Sequence, residues 1–226
     1  MKSGSTGDKD WQFDENIAGV FVEHARKHIP NYEAVIDKCV DYCDMNLHKQ
    51  ARIIDVGCAT GHTLEKLHSR GFTDLHGVDN SKHMIELAPK HVATYHVSDD
   101  LPQAEYDMVL CNWTLHFIKD KRKYLQDIHD NLRAGGTLVL SEKTSKDPDM
   151  IRMYHAGKKR MGVSDEEIEQ KQAQLENVMF IESVEWYQRT LESMGFTVSV
   201  IDADWCFTTL LCRKEQWIQG TYLTGW

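Results

Sequence analysis

Short apolar runs alternate with amphipathic stretches along the middle of the chain. The runs are rich in Val, Ile and Leu, which suits strands buried on both faces of a parallel sheet. Between them, apolar residues recur three and four positions apart, the spacing of helices that cover a sheet. This alternation predicts an open, mostly parallel α/β sheet, with strands over 51–56, 74–79, 93–97, 106–111 and 137–140.

The segments on either side of this alternation predict further elements of one domain. Before it, apolar stripes predict helices over 15–28 and 32–46, with Pro30 ending the first and Asn31 capping the second. We expect residues 15–48 to form a helical lid, residues 1–10 to be disordered, and Trp11 and Phe13 to dock onto the body.

After the alternation, residues 146–182 interrupt the α/β rhythm and end in a charged helix over 164–177. An insertion at this edge of a sheet usually covers an active site or makes a dimer contact. The C-terminal part, 183–226, predicts a helix over 183–194, strands over 196–201 and 206–212, and a docked tail. The parts belong to a single domain, 1–226, whose nucleotide-binding core is 51–143.

A glycine-containing loop follows the first predicted strand. The sequence D-V-G-C-A-T-G at 55–61 leads directly into an amphipathic helix that starts at His62. Glycine at Gly57 and Gly61 lets the backbone turn sharply and approach a ligand, and the helix start offers free N–H groups. Strand, glycine loop and helix together open a nucleotide-binding unit, although a similar turn can also occur without a ligand.

The loop chemistry indicates which nucleotide is bound. Ala59 stands where a dinucleotide fingerprint requires its middle glycine, and its methyl group crowds a pyrophosphate. Asp55 can accept hydrogen bonds from an ammonium group, which a dinucleotide lacks. Asp79, 22 residues after Gly57, has the spacing of an acid that binds a ribose diol. These features favour S-adenosylmethionine (AdoMet) over NAD or FAD.

Polar residues follow the third and fourth strands at the edge where open α/β sheets bind ligands. Asp99 and Asp100 can accept from an adenine amino group, or form a turn or helix cap. Asn112 can orient a substrate, and Trp113 can stack on a cation. His116 is the candidate general base; the alternative is a histidine hydrogen-bonded to a backbone carbonyl.

The composition of the chain limits the classes of partner that we expect. With 35 acidic and 26 basic residues the net charge is −9, so we expect a small-molecule substrate and no direct nucleic-acid binding. We expect neither a signal peptide nor a membrane span. Cys39 and Cys43 lie four residues apart without a second ligand pair, so we expect no metal site and six reduced cysteines in a cytoplasmic protein.

Motifs along most of the chain resemble the class I AdoMet-dependent methyltransferase fold, and more narrowly the carboxy-S-adenosylmethionine synthase family of tRNA wobble-uridine modification. They are D-W-Q-F-D-E at 10–15, P-N-Y at 30–32, D-V-G-C-A-T-G at 55–61, V-D-N-S at 78–81, N-W-T-L-H-F at 112–117, G-G-T-L-V-L-S-E-K at 135–143 and L-E-N-V-M at 175–179. The resemblance implies a Rossmann-like, seven-stranded sheet with its last strand antiparallel, and a homodimer. It also implies that AdoMet is held by Tyr32, Gly57, Cys58, Ala59, Asp79, Asn80, Asp99, Asp100 and Asn112.

Two departures from that family bear on the reaction. Gln172 stands where the family places an arginine that binds the carboxylate of the carboxylated product, and it supplies no charge. His116 stands where the family usually has glutamine. Both changes favour methyl transfer to a small or modest-sized acceptor over the alternative, carboxy-AdoMet synthesis from AdoMet and prephenate. That alternative requires another cation, such as Lys171, Arg152 or Lys143; a third possibility is a non-catalytic AdoMet-binding protein.

Overall fold

Seven strands form one sheet in the order β3-β2-β1-β4-β5-β7-β6. The structure is a computed structural model that describes residues 19–176 and 178–216. The predictions for residues 1–10, for Trp11 and Phe13 and for the tail after residue 216 therefore lie outside the described residues. The strands are β1 (Arg52–Val56), β2 (Asp74–Asp79), β3 (Thr94–Val97), β4 (Tyr106–Asn112), β5 (Leu132–Lys143), β6 (Phe196–Asp204) and β7 (Phe207–Lys214).

The predicted mixture of parallel and antiparallel strands is confirmed. Strands β1 to β5 pair in parallel, whereas β7 runs antiparallel to both β5 and β6. Strand β1 lies between β2 and β4, and its Ile54 is in register with His76 of β2 and Val109 of β4. Because β1 and β4 are adjacent, the loops that follow them share one edge of the sheet.

Eight helices surround the sheet in the described part of the chain. They are α1 (Phe21–His28), α2 (Tyr32–Asn46), α3 (His62–Ser69), α4 (Lys82–Leu87), α5 (Lys121–Asn131), α6 (Pro148–Arg160), α7 (Asp165–Leu175) and α8 (Val184–Ser193), with a 3-10 turn at Leu115–Phe117. None of the helices in residues 19–176 and 178–216 has the length and apolarity needed to cross a bilayer.

The core has two layers because alternate residues of each strand point to opposite faces. Ile54 and Val109 pack in the cluster that contains side chains of α5 and α8, while Ile53 and Met108 pack in the cluster that contains side chains of α2 and α3. Strands buried on both faces read as continuous apolar runs, which explains why the sequence pattern located them.

Strand β5 is longer than predicted. The stretch 133–136, which precedes the predicted strand over 137–140, already belongs to the ladder, and Leu132 pairs with Tyr106. A shift in the β4–β5 register and the left-handed Gly135, with φ of 76°, accommodate the extra residues. The helix therefore passes into the strand without a separate loop.

The two N-terminal helices, α1 and α2, differ in where they pack. Helix α2 buries Ile36 and Cys39 in the cluster that contains Ile53 and Met108 of the sheet, so it is mainly a core helix. Phe21 of α1, Ile29, and Tyr32 and Ile36 of α2 face the cleft described below. Asn31 occupies the predicted N-cap position of α2, but its side chain makes no cap bond. Its backbone is left-handed, with φ of 54°, and its side-chain amide donates to Asp204 at 3.0 Å.

The insertion consists of two helices. The stretch before the charged helix is itself helical: α6 starts behind Asp147, which accepts from two backbone N–H groups, and Ser164 caps α7. Several hydrogen bonds tie the insertion to the body, among them those from the Tyr154 hydroxyl to the His28 carbonyl at 2.6 Å, from the Phe180 N–H to the His116 carbonyl at 2.7 Å and between His28 Nε2 and Glu167 at 3.2 Å. The insertion therefore packs beside α1.

Candidate cofactor and active site

The glycine loop after β1 is shaped by a close neighbour. Gly57 has φ of 70°, and a Cβ there would lie 2.1 Å from the Thr114 hydroxyl oxygen. The N–H groups of Gly57 and Cys58 donate to the Val78 carbonyl at 2.8 and 3.1 Å. Only glycine satisfies both the left-handed backbone and the close approach. The loop is thus pinned between β2 and the segment after β4.

A cleft opens over this loop at the carboxyl edge of the sheet. It brings together seven of the predicted site residues: Tyr32, Asp55, Gly57, Cys58, Ala59, Asn112 and Trp113. Residues that sequence reasoning did not assign to the site complete it: Phe21, Ile29, Ile36, Thr60, His62 and Thr63. Thr60, His62 and Thr63 could have been found, because they continue the glycine loop into α3. The apolar residues of α1 and α2 carried no signal beyond helical periodicity.

Asp55 is a buried carboxyl group in the wall of the cleft. Asp55 is only 4% exposed, and this burial raises the pKa of its carboxyl group to about 7. The nearby charge of Asp79 also raises this pKa. A hydrogen bond from Thr63 acts in the opposite direction. A carboxylate held this way is stabilised by a cationic ligand, and the ammonium group of an amino acid fits that requirement.

The other predicted acidic residues lie where β2 and β3 end. The Asp79 carboxylate accepts from the N–H of Ala59 at 3.0 Å and of Ser81 at 2.8 Å, and the Asn80 amide donates to Asp99 at 2.9 Å. Asn80, Asp99 and Asp100 are exposed and are not in the wall of the cleft. Asp79 does not line the cleft either, but its hydrogen bond from Ala59 orients the glycine loop.

Gly61 supports the loop from below. It has φ of 84°, and a Cβ there would lie 2.5 Å from the Tyr95 hydroxyl. It is buried and does not line the cleft. The structure therefore gives this glycine a conformational role and leaves its predicted cofactor contact as a prediction.

Aromatic rings and an amide form the opposite wall. The rings of Tyr32 and Trp113 lie 5.1 Å apart, and Trp113 has an unusual φ of 56°. Asn112 is fixed on both sides, since its carbonyl oxygen accepts from the Ser141 hydroxyl at 2.6 Å and its amide lies 3.8 Å from the Cys39 sulfur. The wall thus combines a fixed polar group with two rings able to contact a cation.

Glu142 organises the segment that carries His116. This carboxylate is 1% exposed and accepts from the backbone N–H groups of Thr114, Leu115 and His116 at 2.9, 2.7 and 3.0 Å. It also bonds His116 Nδ1 at 2.6 Å. Sequence reasoning quoted Glu142 only within a motif and missed this function. His116 is 5% exposed and does not line the cleft, so its catalytic role stays a prediction.

The predicted substrate residues outside the cleft occupy different environments. Gln172 is exposed, and Arg152 is exposed and paired with Asp149. Lys143 is partly buried beside the ring of Tyr154. Lys171 points inward and contacts His24, so that the two neighbouring positions 171 and 172 do present different faces of α7.

Comparison with known proteins agrees with this geometry. The Methyltransferase domain model (Methyltransf_23) matches residues 19–199, and the chain belongs to the AdoMet-dependent methyltransferase family. Curated relatives are carboxy-S-adenosyl-L-methionine synthases. That of Actinobacillus succinogenes is 33% identical over 83% of this chain and 86% of its own length. That of Wolinella succinogenes is 32% identical over 92% of this chain and 95% of its own.

Solved structures share the fold at low sequence identity. The magnesium protoporphyrin IX methyltransferase of Synechocystis, solved with bound S-adenosylhomocysteine, aligns with a TM-score of 0.63 at 16% identity over 92% of this chain and 90% of its own. The plantazolicin methyltransferase BpumL aligns with a TM-score of 0.69 at 13% identity over 90% and 92%. The Rossmann-like class I methyltransferase fold is confirmed, and the chain is an AdoMet-dependent transferase.

Proposed function

We propose that the chain transfers the methyl group of AdoMet to a small or modest-sized acceptor that enters the cleft beneath α1. The observation that supports this most is the convergence of the Asp55 carboxylate, the Gly57 loop and the Trp113 ring on one cleft. Bound AdoMet supplies a positively charged sulfonium that makes its methyl carbon electrophilic.

The residues divide the work of binding. Asp55 pairs with the ammonium group of the cofactor, and Asp79 accepts from the ribose hydroxyls. Asn80, Asp99 and Asp100 border the adenine end, and Asn112 orients the amino-acid end. Tyr32 and Trp113 exclude water and contact the sulfonium through their ring faces.

His116 is the proposed base for the acceptor. Because its Nδ1 donates to the Glu142 carboxylate, the Nε2 lone pair is the one left to take a proton. Replacing His116 with glutamine, the residue usual in the similar synthases, should lower methyl transfer about 100-fold or more while AdoMet binding stays unchanged. An unchanged turnover rate in His116→Gln would leave this histidine a structural role only.

Carboxy-AdoMet synthase chemistry is the second candidate. Identity of about one third to named synthases over most of the chain favours it. The proposal then includes a homodimer that serves tRNA modification, with AdoMet and prephenate as substrates. The exposed Gln172 supplies no cation, so the inward-facing Lys171 is the better substitute for the family arginine. Six unpaired cysteines fit a cytoplasmic location for either candidate.

Mass spectrometry of the ligand released from denatured protein tests the two candidates. AdoMet or S-adenosylhomocysteine would support methyl transfer, and a species heavier than AdoMet by one carboxylate would put the synthase first. Recovery of NAD or FAD would contradict both. Incubation of the protein with AdoMet, with and without prephenate, followed by the same detection, separates bound product from turnover.

A further inference from the structure

Two tryptophans of the described chain have a left-handed backbone, a conformation that is rare for bulky side chains. Trp113, directly after β4, has φ of 56°, and Trp205, directly after β6, has φ of 51°. A bulky residue in this conformation is strained, so the surrounding structure has to hold it there. Trp205 lies in the two-residue turn of the β6–β7 hairpin, where positive φ is expected. Trp113 lies instead in the wall of the cofactor cleft.

The backbone after Trp113 forms a concavity that a carboxylate fills. Thr114 is right-handed, with φ of −113° and ψ of −44°, and a left-handed residue beside a right-handed one gathers successive N–H groups into an anion-binding nest. The Glu142 carboxylate accepts from the N–H groups of Thr114, Leu115 and His116 at 2.9, 2.7 and 3.0 Å. Hydrogen bonds to an ionised group are stronger than those between neutral groups, so they offset the strain.

Further contacts fix the position of Trp113. Its N–H donates to the carbonyl of Ser141 in β5 at 2.6 Å, and the hydroxyl of Thr114 donates to the Val56 carbonyl at 3.0 Å. Its ring is half-buried and lies 5.1 Å from the ring of Tyr32. The tryptophan is therefore held through its backbone and through its ring.

A ring in a fixed position can distinguish the cofactor from the product of methyl transfer. AdoMet carries a sulfonium cation, whereas S-adenosylhomocysteine (AdoHcy) has a neutral thioether at the same place. The face of an aromatic ring attracts a cation more strongly than a thioether.

We propose that Glu142 is a positioning residue for Trp113. By binding the N–H groups that follow the tryptophan, the carboxylate holds the ring where it favours AdoMet over AdoHcy. This inference rests on the proposed function. It adds the group that keeps the ring in place and the ligand preference that results.

Calorimetric titrations with AdoMet and with AdoHcy test the preference. The measured quantity is the AdoHcy dissociation constant divided by the AdoMet dissociation constant. Trp113→Leu should lower this ratio about fivefold, the effect of one lost cation–π contact. Trp205→Leu is the matched control, because it removes a tryptophan of the same backbone conformation outside the cleft and should leave the ratio unchanged.

A double-variant cycle tests whether Glu142 acts through Trp113. Glu142→Gln should lower the ratio toward that of Trp113→Leu, because its amide N–H repels the backbone donors and releases the segment. Added to Trp113→Leu, it should leave the ratio unchanged, since no ring remains to be positioned. Glu142→Asp keeps the charge on a side chain too short for all three N–H groups. It should also lower the ratio, and it replaces Glu142→Gln if that variant does not fold.

Melting temperatures test the strain without a ligand and without a change at Glu142. Glycine usually destabilises a fold relative to alanine, but at positive φ this order is inverted because glycine has no Cβ to strain the backbone. Trp113→Gly should therefore melt at a higher temperature than Trp113→Ala. Trp205→Gly and Trp205→Ala should show the same order, which calibrates the size of the effect.

Several outcomes would overturn the proposal. Equal weakening of both ligands in Trp113→Leu would give the ring a packing role only. A ratio that Glu142→Gln lowers further in the presence of Trp113→Leu would show that Glu142 acts through another group. A higher melting temperature of Trp113→Ala than of Trp113→Gly would show that the position is not strained.

The same titrations separate this proposal from the proposed function. A wild-type protein that binds neither AdoMet nor AdoHcy would contradict both. AdoMet binding by the wild type, with a ratio that Trp113→Leu does not change, would contradict the positioning proposal alone.

Discussion

The protonation of Asp55 should control AdoMet affinity. In the proposed complex the Asp55 carboxylate pairs with the ligand's ammonium group, so the free protein must hold Asp55 ionised and the free ligand must hold its amine protonated. The pKa of Asp55 is about 7 because the group is buried and lies near Asp79. The ligand's α-amino group has an ordinary pKa of about 7.8.

These two values set the expected pH profile. At pH 7.4 about 70% of Asp55 and about 70% of the amine are in the binding form, whereas at pH 5.5 only about 3% of Asp55 is ionised. AdoMet should therefore bind about 15-fold more weakly at pH 5.5 than at pH 7.4. Above about pH 8 affinity should fall again as the amine loses its proton, which gives a bell-shaped profile.

Isothermal titration calorimetry from pH 5.5 to 9 measures this profile. Asp55→Asn should weaken binding about 10- to 100-fold at pH 7.4, the value of a charge-assisted hydrogen bond, and abolish the acidic limb. Asp79→Asn should retain that limb and move it to lower pH, because one cause of the raised pKa is removed. A flat wild-type profile below pH 7.4, or an acidic limb that persists in Asp55→Asn, would refute the reasoning.

Three further predictions concern stability. Glu142→Gln should lower the free energy of unfolding by about 3 kcal/mol in urea titration, because an amide N–H then faces backbone N–H donors in a buried site. An unchanged free energy of unfolding would contradict this prediction. Gly57→Ala should lower the melting temperature more than Gly162→Ala. Both glycines have positive φ, but a methyl group at position 57 would also clash with Thr114, whereas nothing lies within 4 Å of a Cβ at position 162. Equal melting temperatures would show that the contact relaxes. Burial lowers the pKa of Lys158 from 10.5 to about 8, so between pH 8 and 10.5 the unfolded chain binds more protons than the folded protein and stability rises with pH. Lys158→Met should remove up to about 3 kcal/mol of this rise. Urea titrations at pH 7.5 and pH 10 measure the difference.

The sequence predicted the sheet because its strands are buried on both faces. Continuous apolar runs such as the one in β1 leave little choice of structure, and the glycine loop fixes which strand starts the unit. Boundaries were less certain: β5 begins at Leu132 because a register shift and Gly135 let the chain enter the ladder early. A pattern of apolar positions does not encode such a shift.

The site was predictable where neighbouring residues share it and not where distant segments meet. Asp55 and Cys58 follow from the loop motif, whereas Phe21 enters the cleft only through the packing of α1. Glu142 could not be assigned because its partners lie 26 to 28 positions earlier, across two paired strands. The contact of Lys171 with His24 likewise depends on how the insertion packs beside α1.

Because all six thiols are buried, the rate at which they are alkylated should report how often the protein opens. Burial raises the pKa of each cysteine, so little reactive thiolate exists at neutral pH. Alkylation of five of them should report excursions that expose the interior. Cys58 lies in the cleft wall, so its alkylation should slow when a ligand covers it. The alkylation rates of the other five cysteines should still be set by unfolding. Timed mass spectra of alkylated protein would then read ligand occupancy and conformational opening from a single sample.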